Sequence, residues 1–257
     1  MRDEISINTD SFENPTEPSI PSLIGLPVYW IKKNSEAELN RHFVGNTILP
    51  PVSPYVEIIE RAAAETNMSG ALPLWRGYTG HNASGLTRQP NDVRIASAMG
   101  NLFAHLVSEI QPNRIVEFGT AFGISGMYFL AGLEENNKGK LLTFEPNEIW
   151  AAIAKENLSS ISSRFEAIVG TFEEKIDNAL GIDEKIDLAF IDAIHTKEFV
   201  LPQLDMVTSR ARSGSVIILD DINFNKDMRE CWEAVSADDR FSASLKVGSR
   251  VGIVEVR

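Results

Sequence analysis

The sequence predicts an α/β fold, a mostly parallel sheet with helices on its faces, preceded by an N-terminal arm and lid. Three observations carry this. A short apolar strand, a glycine turn and a helix follow one another from Arg114 to Leu133. Apolar segments then alternate with helical stretches as far as Leu219, the pattern of successive βα units. Finally, Phe241–Val247 and Arg250–Val256 read as two strands joined at Gly248-Ser249, a closing hairpin.

The stretch Arg114-Ile-Val-Glu-Phe-Gly-Thr-Ala-Phe-Gly-Ile-Ser125 organises the rest. Ile115, Val116 and Phe118 suit a buried parallel strand. Gly119 and Gly123 allow a tight turn and close approach of a ligand to the main chain. The turn feeds a helix N-terminus, as nucleotide-binding sheets require. Glu117 is an acid inside an apolar strand, which is costly unless it is partnered. Ala121 takes the place that a second glycine holds in the dinucleotide fingerprint Gly-x-Gly-x-x-Gly, and Ser125 adds a hydroxyl to the first helical turn.

In chain order, residues 1 to about 28 are rich in Ser, Pro, Asn and Glu. Pro15, Pro18, Pro21 and Pro27 break any helix, so an extended arm is expected. Such an arm is either disordered or draped over a second copy of the chain, a homodimer. Tyr29 to Phe43 is mixed polar and aromatic, and Pro54–Ala64 reads as a short helix. Residues 69–91 hold Trp75, Arg76, Tyr78, His81 and Arg88, either a lid over a substrate or ordinary packing. Ile95, Met99, Leu102, Leu106 and Ile110 make an amphipathic helix of Asp92–Ile110, started at Asp92 and stopped by Pro112. The expected division is therefore 1–91, arm and lid, and 92–257, the nucleotide-binding domain.

Further on, Lys140–Phe144 is a strand ending in Glu145, where an acid can accept from both ribose hydroxyls. Asn147–Ser160 is a helix and Phe165–Val169 a strand that leads to Thr171 and Phe172. Lys185–Ile191 is a strand ending in Asp192, with His195 and Lys197 just beyond, at the start of a helix Thr196–Arg210. Ser215–Leu219 ends in Asp220-Asp221.

Composition narrows the function. The chain has 257 residues, 43% of them hydrophobic, enough for a full core. No run of about 18 apolar residues suggests a membrane span. The polar start Met1-Arg-Asp-Glu lacks a signal-peptide core, and one cysteine excludes an intrachain disulfide or cysteine-zinc framework, so a cytoplasmic location is expected. A net charge of −12 repels phosphate backbones and argues against a nucleic-acid partner.

Glu-Phe-Gly-Thr-Ala-Phe-Gly-Ile-Ser resembles the first motif of class I S-adenosylmethionine-dependent methyltransferases. Its Gly-x-x-x-Gly-x-Ser form is similar to the catechol and caffeoyl-CoA O-methyltransferases and to metal-dependent O-methyltransferases of natural-product sugars. The resemblance covers Asp92 to Arg257. It implies a Rossmann-like seven-stranded sheet with an antiparallel last strand. It further implies Glu117 near the methionine amino group, and Gly119, Thr120, Ala121 and Gly123 around the methionine portion. Ser125 would bond the methionine carboxylate, Glu145 the ribose, and Thr171 or Phe172 the adenine, with Asp192 also at the cofactor's edge.

Asp192, Asp220 and Asp221 stand at the carboxyl ends of neighbouring strands, where their charges repel unless protons or a cation intervene. Hard oxygen ligands favour Mg²⁺, Mn²⁺ or Ca²⁺. The resemblance agrees with a metal there; helix capping is the plainer alternative. His195 stands where the catechol-like branch has a lysine. With an ordinary pKa of about 6.5 it suits a general base, and Lys197 is the second candidate. The implied reaction is methyl transfer to a hydroxyl of a small molecule: a sugar, a polyketide or a phenol. The alternatives are a metal-free N- or carboxyl-methyltransferase, an NAD-dependent oxidoreductase, which Ala121 disfavours, and a non-enzymatic binding protein.

Overall fold

A computed structural model describes residues 24–77 and 86–257. The chain opens with a strand, β1 (Leu26–Lys32), a short helix α1 (Leu39–His42) and a two-residue strand β2 (Thr47–Ile48). Helix α2 (Val56–Asn67) follows, then the strand pair β3 (Leu72–Pro73) and β4 (Thr87–Arg88). A 3₁₀ turn at Pro90–Val93 precedes α3 (Ser97–Ile110). The βα alternation runs β5 (Arg114–Phe118), α4 (Ile124–Asn136), β6 (Lys140–Glu145), α5 (Glu148–Ser159), β7 (Phe165–Val169) and α6 (Phe172–Ala179). It continues with β8 (Ile186–Ile191), α7 (Lys197–Arg210), β9 (Ala211–Leu219) and α8 (Lys226–Ala237), and closes on β10 (Phe241–Val247) and β11 (Val251–Val256).

The sheet order is β2-β1-β10-β11-β9-β8-β5-β6-β7. The seven expected strands, β5 to β11, are all there. β5 to β9 run parallel, and β11 lies antiparallel between β9 and β10. Among the described residues the sheet is nine-stranded rather than seven, because β1 pairs antiparallel with β10, and β2 with β1. Part of the expected arm is thus sheet. Pro27 does not prevent this, since a proline near the start of a strand close to the sheet edge is tolerated. A buried acid of β11 anchors the addition: Glu255 accepts from the Glu38 and Leu39 amides at the start of α1, at 3.1 and 2.8 Å.

Helices cover both faces. α2, α3 and α4 share one core with Phe103, Phe129 and Phe190; α6, α7 and α8 share the other with Phe118, Phe144 and Phe172. α4 is apolar nearly all round because it is buried on every side. Gly132 lets α3 approach, since a Cβ there would stand 2.5 Å from the Ala104 carbonyl oxygen.

The expected helix Asp92–Ile110 is shorter. Arg94 and Ala96 are extended, so α3 starts at Ser97 and Asp92 lies in the 3₁₀ turn, with Pro90 at its first position. Tyr78, His81 and the start of the arm lie outside the described residues. Among the described residues no helix is long and apolar enough to cross a membrane.

Candidate active site

The strand order reverses at β5 and β8, and that switch point is where an open α/β sheet leaves a crevice beyond its strand ends. A cavity of about 370 Å³ opens there, in the size range of small-molecule sites. Gly119, Ala121, Glu145, Thr171, Phe172, Asp192, His195 and Asp221 all line it. Residues predicted from five separate stretches of sequence thus meet at one place.

The glycine loop is knitted to the end of β6. The Gly119 and Thr120 amides both donate to the Phe144 carbonyl, and the Ala121 amide donates to Glu145 Oε2 at 2.9 Å. Gly119 has φ +83°, and a Cβ on it would lie 2.2 Å from the Asp192 carbonyl oxygen. Only glycine lets β5 and β8 approach so closely here. Gly123, at φ +85°, caps α4. Ala121 has φ +46°, an uncommon angle for a residue with a Cβ.

Glu117 is fully buried. Ser125 Oγ donates to its Oε1 at 2.5 Å and Thr143 Oγ1 to its Oε2 at 2.6 Å. Burial pushes its pKa up to about 7, against the pull of those two hydroxyls. It does not line the cavity, and the Ser125 hydroxyl is turned to it. Ser125 and Thr120 instead border a recess of about 10 Å³ beside Val93, Arg94 and Ile95. Glu145 does face the cavity. Burial raises its pKa to about 7, opposed by the Asn147 and Ala121 amides. Phe172 packs on Phe118 and Phe144, with centroids 3.8 and 5.4 Å away, and makes an apolar wall.

At the other end of the crevice, His195 Nε2 lies 3.4 Å from Asp221 Oδ2 and 3.8 Å from Asp192 Oδ1. Asn225, the N-cap of α8, donates from Nδ2 to the His195 carbonyl at 3.4 Å. Phe224 sits over the imidazole at 5.3 Å. Burial lowers the His195 pKa, and Asp221 partly opposes this. Burial also holds the Asp192 and Asp221 carboxyls above the usual range, with Asp220 the next cause in both. Asp221 is left-handed, at φ +49°.

Lys197 does not reach the cavity. It begins α7, where its amide donates to the Asp227 side chain of α8, and its charge is felt at Cys231 of α8.

The three aspartates come together, but not as an open cation site. Asp220 is fully buried and carries a guanidinium: Arg250 Nε donates to its two oxygens at 2.8 and 3.0 Å, and Nη2 to Oδ2 at 2.5 Å. Arg250 Nε is also 3.1 Å from Asp221 Oδ1. With Asp220 engaged in this way, the residues as arranged do not fit a three-carboxylate metal centre. Among the described residues no group of three or more His, Cys, Asp or Glu is set to hold a metal ion.

A methyl-donor nucleoside does fit. Glu145 offers carboxylate oxygens at the end of β6, the phenylalanine wall is apolar, and Trp150 lines the cavity with a buried indole N–H that has no partner among the described residues. The sequence reading missed Arg250, Trp150 and Gln203, all of which line the cavity. Arg250 was legible in principle: an antiparallel last strand returns its leading turn to the rim where β9 ends. Of the 69–91 stretch, Trp75 and Arg88 line the cavity.

Comparison with known proteins agrees with this geometry. Residues 116–222 match the family described as a methyltransferase domain. The chain is 28% identical over 132 residues to a catechol O-methyltransferase of Mycobacterium tuberculosis, covering 51% of this chain and 57% of that protein. It is 26% identical over 137 residues to catechol O-methyltransferase B of Danio rerio, covering 51% and 50%. The chain thus spans about half the length of these relatives. In fold it is similar to a putative O-methyltransferase from Klebsiella pneumoniae (TM-score 0.59, 23% identity, 85% of this chain and 94% of that one). It is similar also to an O-methyltransferase from Streptomyces achromogenes involved in tomaymycin synthesis and solved with SAM (TM-score 0.58, 18% identity, 86% and 96%). These matches agree with the resemblance first read in the glycine loop, and the methyltransferase-domain match spans that loop and the ends of β8 and β9.

Proposed function

We propose that this chain, with its methyltransferase domain, is an S-adenosylmethionine-dependent O-methyltransferase that acts on a hydroxyl of a small molecule, with His195 as general base. The observation that carries the reading is that the glycine loop with Glu145 and the His195–Asp221 pair line one cavity across the switch point. The cofactor supplies an electrophilic methyl group on a sulfonium sulfur.

The chain's own residues supply placement. Glu145 accepts from ribose hydroxyls with lone pairs that its two amide contacts leave free. The Phe118–Phe144–Phe172 wall and Trp150 take the base. Trp75 and Arg88, which line the cavity, would close it as a lid. His195, held at its carbonyl by Asn225, is uncharged at neutral pH because burial lowers its pKa. It can therefore take the acceptor's hydroxyl proton at Nε2, and Asp221 stabilises the imidazolium that results. Holding two reactants in line in a closed cavity contributes most of the acceleration. A phenol, a polyketide hydroxyl or a sugar hydroxyl all meet these requirements.

Two measurements test this. Calorimetry with S-adenosylhomocysteine should show one site per chain. In a methyl-transfer assay over phenolic and sugar acceptors, His195→Ala should lose about 10²–10⁴ in kcat with unchanged affinity for S-adenosylhomocysteine. Absence of nucleoside binding would sink the methyltransferase reading; full activity of the variant would sink the base.

A further inference from the structure

Resting on the O-methyltransferase reading, we infer that the Arg250 guanidinium stands in for a divalent cation at the β8–β9 rim, so that this chain needs no metal to orient and acidify its acceptor hydroxyl. Three carboxylates converging at one rim need protons or a positive charge among them. Arg250 supplies it from within the chain. Its Nε–Nη2 edge forks onto both oxygens of Asp220, and Nε also reaches Asp221 Oδ1 at 3.1 Å.

The placement is built by the backbone. Gly252 pairs with Leu219 across the antiparallel β11–β9 ladder, so the turn before β11 sits over the residues that follow β9. The Ile222 amide donates to the Arg250 carbonyl at 3.0 Å and ties that turn to the Asp220–Ile222 segment. The Asp220 side chain is fully buried, so the fork is its only charged partner among the described residues. A divalent ion takes carboxylate oxygens directly at about 2.0–2.6 Å. It would have to displace a half-exposed guanidinium that is already forked onto a fully buried carboxylate, trading a built charge pair for a new one.

The fork also leaves something free. With Nε and Nη2 on Asp220, Nη1 has no partner among the described residues, and Arg250 lines the cavity with the imidazole of His195. Its two N–H groups can donate to the acceptor oxygen as that oxygen gives its proton to His195 Nε2. A guanidinium keeps its charge at any working pH, so this support does not depend on metal supply.

The test uses the whole chain and paramagnetic Mn²⁺. In a titration followed by electron paramagnetic resonance, wild-type protein should leave the free Mn²⁺ signal undiminished, with and without S-adenosylhomocysteine. Methyl transfer should be equal in chelator and in millimolar Mg²⁺. Arg250→Lys, which keeps the charge and loses the fork, should fold, bind S-adenosylhomocysteine as wild type does, and lose 10-fold or more in kcat. Asp220→Asn/Arg250→Met, which removes both members of the pair, guards against a fold defect from a lone buried aspartate. It should show the same loss with a retained thermal transition. One Mn²⁺ bound per wild-type chain at micromolar concentration, or loss of activity in chelator, would overturn the inference. So would full activity of Arg250→Lys. The Mn²⁺ result stands whatever the acceptor, so it fails separately from the methyltransferase reading, which calorimetry decides.

Discussion

The two halves of the crevice are made differently. On the β5–β6 side the site is main chain: glycines with positive φ, amides folded onto the Phe144 carbonyl, and a buried Glu117 bridging Ser125 and Thr143. On the β8–β9 side it is side chain: Asp192, His195, Asp221 and an Asp220–Arg250 pair drawn from three separate segments. The main-chain half is local, within about thirty residues, and its steric requirements fall on particular glycines. The side-chain half is non-local and depends on charge balance, so an added positive residue changes its chemistry without changing its shape. The first half can be broken by volume, the second by charge.

Three substitutions sharpen this contrast. The largest effect is expected from Gly119→Ala. The new Cβ would meet the Asp192 carbonyl carbon and oxygen at 2.8 and 2.2 Å from a backbone at φ +83°. Overpacking and left-handed strain together cost about 2–5 kcal/mol. Denaturant melts should show that loss and calorimetry no S-adenosylhomocysteine binding. A variant that binds normally would mean the loop is looser than its contacts imply.

The second concerns pH. Glu117 has its pKa raised to about 7 in the folded chain from an ordinary 4.5. Between those values the folded state holds the proton that the unfolded state releases, so stability falls as pH rises through this window. The unliganded protein should lose a few kcal/mol between pH 5 and 8, at a slope of about 1.4 kcal/mol per pH unit inside the window. Glu117→Gln should remove this contribution to the slope and leave that of Glu145. An equal slope in both proteins would assign the titration to Glu145, which is raised to the same range.

The smallest effect is Ala121→Gly. The loop holds this residue at φ +46°, and glycine relieves up to about 1 kcal/mol of left-handed strain. A small rise in melting temperature without loss of cofactor affinity is expected. A fall would show that the alanine methyl contributes packing in the cavity wall.

Much of this was legible before any coordinates. β5, its glycine loop and α4 follow from Ile115, Val116, Phe118, Gly119 and Gly123, because tight turns and buried parallel strands have narrow residue requirements. Asn147 likewise announces α5: its side chain accepts from the Ile149 and Trp150 amides. The helix before β5 is five residues shorter than its apolar spacing suggests, since nothing local distinguishes the extended Arg94–Ala96 link from a first helical turn. β1 was unreadable as sheet, because its exposed Tyr29 and Ile31 dilute the apolar alternation and its partner is more than two hundred residues away. Lys197 stood as the second candidate behind His195 on spacing, but it begins α7 and its charge is felt at Cys231 of α8.

By itself, the sequence determined the βα alternation, the glycine loop, the acids at the strand ends and His195, because each is set by short-range pattern or backbone sterics. Only the tertiary structure decided that β1 and β2 extend the sheet and that Trp150 lines the crevice. It alone set Arg250 on Asp220, because an antiparallel β11 carries a turn thirty residues away in sequence to the end of β9, and such charge pairing leaves no trace in local periodicity.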